Sequence, residues 1–123
     1  MARHKALNFP KRGEVYLVNF DPTLGAEIKK TRPALVLQND IANRYSPITI
    51  VAAITSHFDE PLYPTEVSLA VGEGGMNVGS AVLLNQIRSV DKQRLVKRLG
   101  SLGPSKMQEI DRALTISLGL APL

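Results

Sequence analysis

Residues 48–55 read ITIVAAIT, an unbroken apolar and β-branched run between Pro47 and Ser56. Eight residues rich in isoleucine, valine and threonine, with such boundaries, predict a strand. Because no polar residue alternates with the apolar ones, both faces of that strand should be buried. A strand of this kind requires partners on either side, and the flanking sequence has to supply them.

Upstream, Pro33 opens a second strand, ALVLQ, where a proline is tolerated because its missing N–H is not yet part of a ladder. Before it, EVYLVNF follows Gly13 and stops at the turn signal Asp21-Pro22, giving a first strand. The stretch TLGAEIKKT between them is polar and glycine-marked, hence a loop. Asn39 and Asp40 end the ALVLQ strand, and IANRYS is a short helical turn or a compact loop. Downstream lie a short strand EVSL, the glycine-rich loop VGEGGMNVG and a strand SAVLLNQIRSV. Asp91 then caps a turn through KQRL, and VKRLGSL forms the last strand. A helix closes the chain, with Ser105 and Gln108 as a capping box and Met107, Ile110, Leu114 and Leu118 as one apolar stripe. Five or six short strands joined mostly by loops, plus one helix, predict a mainly β domain: a small barrel with a C-terminal helix. The 123 residues suit a single domain, of which residues 1–11 read as a basic arm.

Composition narrows the chemistry. There is no cysteine, which excludes disulfides, thiolate metal sites and cysteine nucleophiles, and two histidines, His4 and His57, argue against a histidine-rich metal centre. No apolar run approaches the ~18 residues of a membrane helix, and the basic start lacks the apolar stretch of a signal peptide, so the expected location is the cytoplasm. Fifteen Lys and Arg against eleven Asp and Glu leave a net charge of +4, compatible with a polyanionic partner. Seven of those cations fall within the first 32 residues, three of them at Lys29, Lys30 and Arg32. As structure, they keep an exposed loop soluble. As chemistry, Arg32 offers a planar five-donor fork from a backbone restrained by Pro33, a grip suited to phosphate. The loop GEGG lacks the spacing and following helix of a phosphate cradle and reads as a plain turn.

The ordered set TRPALVLQND, IVAAIT and LLNQIRSVDKQRL resembles the MazF/PemK family of toxin endoribonucleases, from about Lys11 to the end of the chain. The resemblance implies an SH3-like barrel with a C-terminal helix, a homodimer, metal- and cofactor-free cleavage of single-stranded RNA, and a cognate antitoxin that blocks it. It places the catalytic arginine at Arg32, the catalytic hydroxyl at Thr55 and, as in some members, a glutamate at Glu27. One branch carries an arginine and an aspartate where this chain has Leu83 and Asn85, so that branch's acid–base scheme cannot operate here. Related barrels that poison DNA gyrase without catalysis, and a passive RNA-binding barrel, are the alternative functions.

RNA carries its own nucleophile, the 2′-hydroxyl, so the protein has only to move protons and stabilise charge on the phosphorus. A free guanidinium costs ~7–9 kcal/mol to hold neutral at pH 7, which assigns Arg32 to charge stabilisation before base catalysis. Thr55 either donates to a phosphate oxygen or satisfies a strand end. Glu27, beside three cations, is held ionised, and an orienting salt bridge is at least as good a reading as a base. His57 would share a face with Thr55 if the strand continued; otherwise it is a loop histidine. Lys29 and Lys30 are candidate phosphate contacts, Phe20 and Tyr45 candidate stacking faces, and Asn39, Gln86 and Arg88 candidate readers of base edges, each with an ordinary structural alternative.

Overall fold

The computed structural model describes residues 9–20 and 31–122, so most of the expected N-terminal arm and of the loop after the first strand lie outside the described residues. Six strands are seen: β1 (Glu14–Asn19), β2 (Thr31–Val36), β3 (Ile48–Thr55), β4 (Glu66–Leu69), β5 (Ser80–Asp91) and β6 (Leu95–Ser101). Helix α1 (Asp40–Tyr45) follows β2, and α2 (Pro104–Ser117) ends the fold. All pairings are antiparallel, in the order β4-β5-β3-β2-β1-β6. The mainly β architecture with its C-terminal helix agrees with the sequence reading. In hydrogen-bonding terms the sheet is open: among the described residues no ladder joins β4 to β6.

Both faces of the central strands are apolar, as the ITIVAAIT run requires. Leu35 of β2, with Ala52 and Ile54 of β3, belongs to the larger core, which also holds Leu84 of β5 and is covered by Ile110 and Ala113 of α2. The intervening Ala34, Val36 and Val51 face a second cluster with Val18 and Val90, edged by Tyr16, Phe20 and Leu95. Period-2 alternation between two cores is what makes these strands read as continuous hydrophobic runs.

Strand β2 begins at Thr31, two residues earlier than Pro33. Pairing with β3 starts only at Ala34, so the missing N–H of Pro33 forfeits no bond on that side. Helix α2 also begins differently from expectation. Gly103 is its N-cap without a side-chain cap bond, and Pro104 occupies the first turn, where its fixed φ suits the helix. Ser105 therefore lies inside the helix and forms no capping box with Gln108. Leu118 falls at the C-cap, 57% exposed, and Ala113 takes its place in the buried stripe.

The GEGG loop is a tight 3-10 turn, Glu73–Gly75, pressed against β6. A Cβ on Gly75 (φ +80) would lie 2.0 Å from the Leu99 carbonyl oxygen, and one on Gly100 would lie 2.6 Å from the Gly74 carbonyl carbon. The glycines are there so that two backbones can touch.

One end of the sheet is sealed by polar contacts. Asn43 on α1 is fully buried; its carboxamide donates to the Gln38 carbonyl and accepts from Gln38 Nε2 (3.0 Å) and Thr49 Oγ1 (2.7 Å). Lys92 Nζ donates to the Asn43 and Ser46 carbonyls at the end of α1. Arg12 fastens this corner to α2. Its backbone N–H donates to Asp40, and its guanidinium donates to the Leu37 carbonyl and pairs with Asp111 at 2.6 Å.

Candidate active site

The opposite end of the same strands is unsealed. Strands β2 and β3 pair Ala34 with Ala53, and continuing that antiparallel register by two residues sets Arg32 opposite Thr55. Opposed residues of an antiparallel pair share a face. Here Arg32 is held by β1 alone, opposite Val18. Arg32 and Thr55 both line an open cleft of about 1150 Å³.

The third wall comes from an irregularity in β5. Ala52 pairs with Ile87, but the next residue of β3, Ala53, pairs with Leu83. Leu84, Asn85 and Gln86 thus stand opposite no β3 residue. Leu84 turns into the core and its N–H bonds the Thr65 carbonyl of the neighbouring chain segment, while Asn85 and Gln86 remain exposed and line the cleft. A bulge re-aims side chains and ends regular pairing, and here it delivers two carboxamides beside Arg32 and Thr55.

Thr55 Oγ1 accepts from the His57 N–H at 3.0 Å and reaches the His57 carbonyl at 3.2 Å. The hydroxyl is therefore oriented by its own chain two residues on, and its O–H can turn from that carbonyl to donate to another acceptor in the cleft. Arg88, exposed on β5, stacks its guanidinium 5.0 Å from the Phe20 ring. The cation–π contact fixes the arginine in the cleft and occupies one face of the aromatic ring. The far wall is acidic: Asp59 and Glu60 from the 56–65 loop, and Glu66 of β4, whose Oε1 accepts from the Tyr63 N–H at 3.0 Å. Among the described residues no three histidine or acidic side chains converge to hold a metal ion.

Of the residues singled out from sequence, Arg32, Thr55, Phe20, Gln86, Arg88 and His57 meet in this cleft. Asn39 does not. It is the N-cap of α1, its side-chain oxygen accepting from the Ala42 N–H at 2.8 Å, at the sealed end of β2. Seven residues separate it from Arg32, about 20 Å along an extended chain. A polar residue after a strand serves equally to start a helix, and that is its use here. Tyr45 also sits on α1, 74% exposed, beneath the Arg44 guanidinium and away from the cleft. Glu27, Lys29 and Lys30 lie outside the described residues. The sequence reading missed Asn85 as a cleft residue. Its signal was two adjacent polar residues, Asn85-Gln86, interrupting strand alternation.

Comparison with known proteins gives one consistent result. Residues 11–118 match the family of PemK-like, MazF-like toxins of type II toxin-antitoxin systems. The chain is 46% identical over 110 residues to Endoribonuclease EndoA of Bacillus subtilis, covering 89% of this chain and 95% of that protein. Among solved structures, a MazE–MazF complex from Deinococcus radiodurans is similar at a TM-score of 0.77 and 29% identity, covering 92% of this chain and 98% of that one. A mycobacterial endoribonuclease in complex with its cognate antitoxin is similar at a TM-score of 0.75 and 26% identity, covering 93% and 99%.

Proposed function

This chain belongs to the PemK-like, MazF-like toxins of type II toxin-antitoxin systems, and we propose that it is a toxin endoribonuclease whose Arg32 and Thr55 cut single-stranded RNA without a metal ion. The observation that carries this reading is that those two residues, at the ends of neighbouring strands, line one open cleft. A phosphodiester entering there meets a guanidinium and a hydroxyl from two neighbouring strands.

The substrate's 2′-hydroxyl attacks the adjacent phosphorus, and the O5′ bond breaks as the new bond forms. Arg32 takes up the growing charge on the non-bridging oxygens through parallel N–H bonds and is placed to give a proton to the departing 5′ oxygen. Thr55 adds a third donor. Gln86 and Arg88 face the nucleotides flanking the scissile bond, with Arg88 held flat by Phe20. On the family resemblance, Lys29 and Lys30 are assigned as phosphate contacts and Glu27 as a supporting carboxylate, all three outside the described residues. The active form is a homodimer in the cytoplasm, held inactive by a cognate antitoxin; the solved relatives include complexes with such antitoxins. No helix of the described residues is long and apolar enough to cross a membrane. The similarity to a protein named an endoribonuclease favours this reading over a non-catalytic barrel.

The test is incubation of purified protein with a long single-stranded RNA in EDTA, followed by mapping of every new end. Discrete cleavage at a short recurring sequence, leaving 5′-hydroxyl and cyclic phosphate ends, is expected. RNA that stays intact at high protein concentration would overturn the proposal.

A further inference from the structure

The scheme above names no acceptor for the 2′-hydroxyl proton, and the cleft offers the carboxylates of Asp59, Glu60 and Glu66 and the imidazole of His57. An arginine is far too basic to be held neutral for that purpose, and a threonine hydroxyl is not a base. A neutral imidazole is suited to the task at cellular pH. His57 is exposed and lines the same cleft as Arg32 and Thr55. It is also tied to the catalytic hydroxyl, since both backbone polar groups of His57 contact Thr55 Oγ1. That clasp fixes the backbone from which the imidazole projects, while the ring itself remains on the open surface. The other ionisable groups around it are Arg32 on β2, Arg88 on β5, Asp59, Glu60 and Tyr63 on the 56–65 loop, and Glu66 on β4.

We propose that His57 is the general base of this nuclease, a role that rests on the endoribonuclease reading and adds a residue to it. The unprotonated ring nitrogen takes the 2′-hydroxyl proton as the 2′-oxygen bonds to phosphorus. The P–O5′ bond breaks, its electron pair stays on the 5′ oxygen, and Arg32 supplies the proton that oxygen needs. The imidazolium then releases its proton to solvent, from which Arg32 regains its own. One proton is moved from the 2′ to the 5′ oxygen and no co-reactant is consumed.

The division of labour within 55–57 is specific. The backbone of His57 positions Thr55 and survives substitution by any residue other than proline, whereas proton transfer belongs to the ring alone. His57→Ala and His57→Gln, assayed on an oligoribonucleotide containing the mapped cleavage sequence, separate the two. General-base loss predicts a fall in kcat of about 100-fold with KM little changed. It also predicts loss of the acid-side limb of the kcat–pH profile, and recovery of the His57→Ala rate when free imidazole is added. The same imidazole should not restore Arg32→Ala. If His57→Ala cuts as fast as the parent chain, or loses activity through KM alone without imidazole rescue, His57 is not the base. If the parent chain leaves the RNA intact, the nuclease reading itself has failed and the role of His57 falls with it.

Discussion

Strands β2 and β3 connect two ends that treat polar side chains in opposite ways. At the α1 end, the carboxamide of Asn43 has partners on both its oxygen and its nitrogen, and Lys92 takes the helix's terminal carbonyls. At the cleft end, Arg32, Asn85, Gln86 and Arg88 are exposed side by side. A carboxamide satisfied by its own chain has little left to offer a ligand. The polar groups that matter for chemistry are those the fold positions and then leaves wet. The contrast explains why Asn39 and Gln86, both reasonable readers of a base from sequence, end in different occupations.

Three experiments can break or refine that contrast, and a fourth probes the sheet away from both ends. The largest effect belongs to Arg32→Ala, for which cleavage should fall by about 1000-fold, the loss seen when a key donor to transition-state charge is removed. As an exposed side chain it should leave the calorimetric midpoint within about 2 °C. A variant that fails to fold would make Arg32 structural and dissolve the distinction between the two ends.

Asn43→Ala tests the sealed end. It leaves the Thr49 hydroxyl without its acceptor and the Gln38 carbonyl without the Asn43 donor, while Gln38 Nε2 keeps its bond to the Ile48 carbonyl, so denaturant unfolding should show a loss of about 2–4 kcal/mol. Cleavage per folded molecule should be unchanged. A fall in cleavage by the folded variant would show the two ends to be coupled.

Thr55→Val keeps the β-branched shape and removes the hydroxyl. A lost bond to a charged phosphate predicts a rate fall of about 10- to 100-fold, with Thr55→Ser recovering most of it. Equal rates in Val and Thr enzymes would leave Thr55 as a strand-end residue only.

The smallest effect is alkaline and lies outside both ends. Burial raises the pKa of Tyr16 above the usual 10.0; the charge of Glu14 and its hydrogen bond to the phenol add to this, and Arg98 opposes it. The neutral phenol is thus favoured in the fold. Its contribution is fully present below the unfolded pKa and is lost as pH rises through the higher folded value. Tyr16→Phe should flatten the stability–pH curve above about pH 10, read by denaturant midpoints across that range. An unaltered slope would show that Tyr16 ionises alike in folded and unfolded chains.

Much of the framework was legible because it depends on local pattern. The boundaries of β3 coincide with the apolar run between Pro47 and Ser56, and β4 coincides with EVSL. Arg32 and Thr55 were singled out because TRPALVLQND and IVAAIT resemble the motifs of the MazF/PemK family; position alone left each an ordinary structural reading. The β5 bulge was marked only by the adjacent polar pair Asn85-Gln86, whose meaning depends on the partner strand's register. The acidic wall was not legible, because the 56–65 loop has no period to read. The role of Asn39 was ambiguous in principle: ending a strand and capping a helix call for the same residue type.

The pairing of β2 with β3 has one more consequence. A slip of one residue would exchange the side chains assigned to the two cores, bringing Leu35 to where Ala34 and Val36 now pack. It would also put Arg32 out of step with Thr55. On the proposed roles of those two residues, correct assembly and reactivity depend on a single alignment. A misthreaded copy is disarmed by the same error that misfolds it, and a toxic product is dangerous only once it has been built properly.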